Sequence, residues 1–110
     1  MPTNTRASLF PGTTAVGAGP TFDTSNAQYI RVHVYRTDDP AASTAVFTIQ
    51  QSTDGTNWFT SGTITNPTGM AVATGDGGEV WEVPACAFTR GFLVSRAAGT
   101  IAAAIEIQRA

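Results

Sequence analysis

The chain has 110 residues, enough for one domain and too few for a second core. Leu, Ile, Val and Phe number 22, a thin supply, but the formal charge is only −2 and 13% of residues are charged, so a folded domain is expected rather than a disordered one. There is no lysine to build the basic stripe that neutralises phosphates, and no apolar run approaches the roughly 18 residues of a membrane span. Neither a nucleic-acid nor a membrane partner is expected.

The chain opens Met1-Pro2-Thr3-Asn4-Thr5-Arg6, without the basic start and apolar stretch of a secretory signal. Cys86 is the only cysteine, so no internal disulfide can form. Both features fit synthesis in a reducing cytoplasm. Residues 1–27 scatter Pro2, Pro11, Gly12, Gly17, Gly19 and Pro20 among Thr and Ala, with Leu9, Phe10, Val16 and Phe22 as the sizeable apolar groups. Two readings stand: a loosely packed N-terminal strand after a coil, or an arm that orders on a neighbouring subunit through Leu9 and Phe10.

From Tyr29 to Arg36 the pattern alternates, with Ile30, Val32 and Val34 on one face and Tyr29, Arg31, His33 and Tyr35 on the other. That is a half-buried strand, stopped by Asp38-Asp39-Pro40. Residues 45–51 alternate again, Phe47 and Ile49 opposite Val46 and Thr48. Asp54-Gly55 follows, a hairpin signal because the turn needs positive φ, so 45–52 and 57–64 are predicted antiparallel neighbours. Asn66-Pro67-Thr68-Gly69 is a second turn, 70–73 a short segment, and Gly75-Asp76-Gly77-Gly78 a third break. Glu79 to Val83 forms a strand closed by Pro84. Residues 88–96 place Phe92 and Val94 opposite Leu93, and after a Gly99-Thr100 turn Ile101, Ala103, Ile105 and Ile107 alternate most cleanly, with Glu106 and Gln108 outward.

No stretch carries a helical period. The spacing predicts an all-β fold, an antiparallel β-sandwich (jelly-roll or Ig-like) of six to eight strands, with residues 1–27 as an N-terminal arm or edge segment and 28–110 as the sandwich.

Little here is arranged for catalysis. His33 has no ligand or nucleophile at useful spacing, so an exposed or interface histidine is expected. Cys86 has small apolar flanks rather than a base, which suits a buried structural thiol. Four of the five aspartates sit in turn clusters, where backbone reasons favour them. Asp76-Gly77-Gly78-Glu79 lacks the spaced ligands of a calcium loop, and no phosphate loop is present. No enzyme, metal or cofactor is expected. The aromatics are the remaining candidates. Trp58, just after the hairpin, either packs over the sandwich end or binds ligand. Tyr35 could join a stacking platform for a sugar. Trp81 belongs to the core or to a subunit interface.

The stretch Phe47-Thr48-Ile49-Gln50-Gln51-Ser52-Thr53-Asp54-Gly55-Thr56-Asn57-Trp58 resembles small β-sandwich structural proteins of tailed-bacteriophage particles, in which an apolar strand runs into Ser-x-Asp-Gly-x-x-Trp and a second strand. Phe88-Thr89-Arg90-Gly91-Phe92-Leu93-Val94-Ser95 is similar to their aromatic-Arg-aromatic strand, and the similar parts span about residues 28–109. The resemblance implies a virion role, as a capsid decoration (cement) protein or a fibre or tail component. It further implies the major capsid protein or other virion proteins as partners, and a homo-oligomer with a trimer favoured. The alternative is a carbohydrate-binding sandwich module of a phage fibre or tail or of a bacterial surface. Leu9, Phe10, Tyr35, Trp58 and Trp81 are the candidate contact residues.

Overall fold

The computed structural model describes residues 3–13, 15–37, 43–69 and 78–109. Among the described residues nine strands run in chain order: β1 (Thr3–Thr13), β2 (Gly17–Ala18), β3 (Phe22–Asp23), β4 (Ala27–Arg36), β5 (Thr44–Ser52), β6 (Phe59–Thr65), β7 (Glu79–Val83), β8 (Phe88–Ala98) and β9 (Ile101–Arg109). They form two antiparallel sheets, ordered β1-β9-β4-β7 and β2-β8-β5-β6, with β3 also on β8. The fold is therefore an antiparallel β-sandwich, with one strand beyond the predicted count because β2 and β3 have only two residues each. The Asp38-Asp39-Pro40 stop, the 70–73 segment and Gly75-Asp76-Gly77 lie outside the described residues.

Alternation decides which side chains meet. Ile30, Val32 and Val34 of β4, Phe47 and Ile49 of β5, Leu93 of β8 and Ile101, Ala103, Ile105 and Ile107 of β9 all point between the sheets and are buried. Removing these apolar side chains from water is the main force holding the sheets together. Phe10 meets Phe47 edge-to-face, ring centroids 5.2 Å apart, a favoured geometry for aromatic quadrupoles.

Of the two readings of the N-terminus, the structure holds the packed strand and not the arm: β1 is the edge strand of the first sheet, paired along β9 from Thr3 opposite Arg109 to Thr13 opposite Ile101. Between Ser8 and Phe10 the register shifts, inserting Leu9 as an extra residue. Such a bulge lets two successive side chains face inward. Leu9 and Phe10 are accordingly buried in the chain's own core, 0% and 3% exposed, rather than offered to a partner. Pro11 is tolerated because an edge strand needs no donor on its open side.

The predicted hairpin joins β5 and β6, with Phe47 opposite Ile64 and Gln51 opposite Phe59. Gly99, at φ +98°, carries the chain across from the second sheet to the first. A β-carbon there would lie 2.7 Å from that of Ser43, so glycine is required by both conformation and space.

Candidate interaction surface

Residues 53–58 join β5 to β6 and are organised by one carboxylate. Asp54 Oδ1 accepts backbone N–H bonds from Thr56 and Asn57, both at 2.8 Å, and a hydroxyl bond from Ser52 at 2.9 Å. Its Oδ2 accepts from Asn57 Nδ2. Donors to the charged form hold this carboxyl well below its ordinary value, the Asn57 and Thr56 amides foremost. Gly55, at φ +79°, supplies the positive φ read from the sequence.

The loop delivers Trp58 to the outer face of the second sheet. There the guanidinium of Arg90, from β8, lies 4.0 Å from the centre of the Trp58 ring and 5.8 Å from that of Phe92. Arg90 Nε donates to Gln50 Oε1 at 2.8 Å, and Gln50 is its cross-strand neighbour on β5. Trp58, Arg90, Phe92 and Gln50 are all half-buried, and Val94 beside them is 49% exposed. Trp58 thus serves as a platform for an arginine. Arg90 and Gln50 carry no recognisable role in the sequence, because their meeting depends on strand register.

The outer face of the first sheet is built differently. Glu106 on β9 accepts from Arg6 Nε of β1 at 2.8 Å and from the Tyr29 hydroxyl of β4 at 3.2 Å, with Arg31 Nη1 3.7 Å away. The Arg6 hydrogen bond lowers the Glu106 pKa against a smaller burial effect. A shallow depression of about 250 Å³ lies between these groups, lined by Arg6, Arg31, His33, Val80, Ala104 and Glu106. Tyr35 packs beside His33, ring centroids 5.0 Å apart. Arg6 is 78% exposed, so these ion pairs tie strands together only weakly.

The candidate residues are not gathered in one place. Tyr35 is on the outer face of the first sheet and Trp58 on that of the second, while Leu9 and Phe10 are inside. Trp81 of β7 faces inward, half-buried, and packs over Gly62, where a β-carbon would lie 3.1 Å from its ring. Cys86 is half-buried and its thiol donates to the Ser52 carbonyl. Near it runs a buried polar network absent from the sequence reading. The Thr24 hydroxyl reaches the Cys86 carbonyl at 2.7 Å and the Thr89 hydroxyl at 2.9 Å. Gln51 Nε2 donates to the Pro84 carbonyl at 2.6 Å, and Gln51 Oε1 accepts from Ser61.

Among the described residues, no group of three or more His, Cys, Asp or Glu is close enough to hold a metal ion. What the structure defines is a two-sheet antiparallel sandwich with one aromatic-arginine outer face and one charged outer face. No family model and no curated protein sequence matches the chain. Its fold is shared with the SPBc2 prophage-derived protein YomS, at a TM-score of 0.71 and 11% identity over 98% of this chain and 95% of that one. It is also similar to the PBSX exported protein XepA, with a TM-score of 0.64 and 12% identity, covering 97% of this chain and 38% of that chain. The likeness is one of fold.

Proposed function

We propose that this chain is a non-enzymatic structural protein of a tailed-phage particle, a decoration subunit that binds the major capsid protein from outside the head. The observation that carries this reading is the end-to-end likeness of fold to a prophage-derived protein, which agrees with the resemblance of the hairpin and β8 to virion sandwich proteins. The shape suits the role, since a slab of 37 × 31 × 17 Å offers broad faces for its size. Each contact of such a small subunit is limited in area. A homo-oligomer, with a trimer favoured, converts several weak contacts into firm attachment. The subunit is made in the host cytoplasm and ends in the virion.

Particles assembled without the chain should lose their genomes at lower temperature than complete ones, and purified protein added back should restore the difference. Equal heat resistance with and without it would contradict a cementing role. The alternative, a carbohydrate-binding module, would stack a sugar on Trp58 or Tyr35; Arg90 covers one face of Trp58 and His33 lies beside the Tyr35 ring.

A further inference from the structure

We infer that the outer face of the β2-β8-β5-β6 sheet is a protein-docking surface centred on Arg90, and that its partner presents a carboxylate flanked by apolar side chains. Three observations converge there. First, Arg90 is fixed before any partner arrives: its plane is stacked on Trp58, flanked by Phe92, and aimed by the bond from Nε to Gln50. A guanidinium held through its Nε side keeps its remaining N–H groups for another acceptor, and a planar fork of that kind matches a carboxylate.

Second, Arg90 has no ion-pair partner among the described residues. The ion pairs among the described residues join Arg6 and Arg31 to Glu106, on the opposite sheet. Asp54, in the loop that carries Trp58, spends both oxygens on Ser52, Thr56 and Asn57. The strand residues around Arg90 on this face are uncharged, among them Thr48, Gln50, Phe92 and Val94. A positive centre on an otherwise neutral face selects an acidic group through complementarity.

Third, the composition is that of an interface hot spot. Tryptophan and arginine side by side, with Phe92 and the exposed Val94 around them, are the residue types that dominate binding energy when a partner excludes water. Arg90 already occupies one face of the Trp58 ring and brings a charge to it, so an acidic protein side chain fits better than a neutral sugar. This inference concerns the chemistry of the face and does not rest on the virion reading.

The test uses the ¹⁵N-labelled full chain and two capped tripeptides, acetyl-Leu-Glu-Leu-amide and acetyl-Leu-Gln-Leu-amide, with sodium glucuronate as a third probe. The Arg90 Nε–H and Trp58 indole N–H signals are followed by NMR. The glutamate peptide should shift both saturably, and the glutamine peptide should bind about tenfold more weakly or worse, the loss expected of a charge-assisted contact. Arg90→Gln should abolish the preference, and Arg90→Lys, which keeps the charge but not the fork, should weaken it. Equal response to both peptides would overturn the inference, as would no response up to about 10 mM, the weak end of specific affinity. Saturable shifts with glucuronate but not with the glutamate peptide would overturn it in favour of an acidic sugar.

Discussion

The ring of Phe47 occupies the space where a side chain at Gly91 would begin: a β-carbon there would lie 2.5 Å from Phe47 Cζ and 3.3 Å from the Phe10 ring. The two residues sit on neighbouring strands, where Ile49 pairs with Gly91 and Phe47 with Leu93. In an open strand, alanine would be favoured over glycine by about 0.5–1 kcal/mol. Here overpacking dominates, and Gly91→Ala should destabilise by about 1–3 kcal/mol. Urea denaturation measures it, and a stabilised variant would show that the core has slack at this point.

Leu9 is fully buried and Phe10 nearly so, which makes β1 part of the folding unit. Leu9→Ala should cost about 2–5 kcal/mol, the range for emptying a core leucine site. Deleting residues 1–13 should remove the cooperative thermal transition, since it uncovers the core and leaves β9 as an unpaired edge. Reading the sequence as a detachable arm leads to the opposite expectation, a folded chain without residues 1–20. A truncated protein that melts at the full-length temperature would favour the arm.

Gln51 is completely buried, and its amide joins β5 to the Pro84 carbonyl and to Ser61. Gln51→Leu should cost about 1–3 kcal/mol by stranding these partners. Calorimetry gives the number, and an unchanged melting temperature would mean that the network adds nothing to stability.

Asp54 has its folded-state pKa lowered from 3.8 by loop donors. A depressed carboxylate stabilises the fold above its unfolded value, and that contribution is lost as pH falls through the ordinary aspartate range and below. The melting temperature should therefore drop on acidification past about pH 4, and Asp54→Asn should flatten that part of the profile. Parallel profiles for the two proteins would remove Asp54 as a source of acid sensitivity.

Much of the fold was legible because period-2 alternation marks the buried faces of β4, β5 and β9, and Asp54-Gly55 marks the β5–β6 hairpin. The first strand was legible only as one of two readings, because the bulge at Leu9 puts two core residues in succession and breaks the alternation that would have decided for it. Gly99-Thr100 read as a turn, but nothing local states that it crosses between sheets. The outer faces were least legible. Arg6 and Glu106 are 100 positions apart in the sequence, and Arg90 meets Gln50 and Trp58 only once β8 has taken its register against β5.

On the proposed function, the chain is a component spread over a phage head. The most direct measurement is its copy number relative to the major capsid protein in purified particles, by quantitative mass spectrometry. The decoration role predicts near-equal amounts, within a few-fold, as a protein that repeats with the lattice must give. Absence from particles, or presence only at trace level, would contradict it.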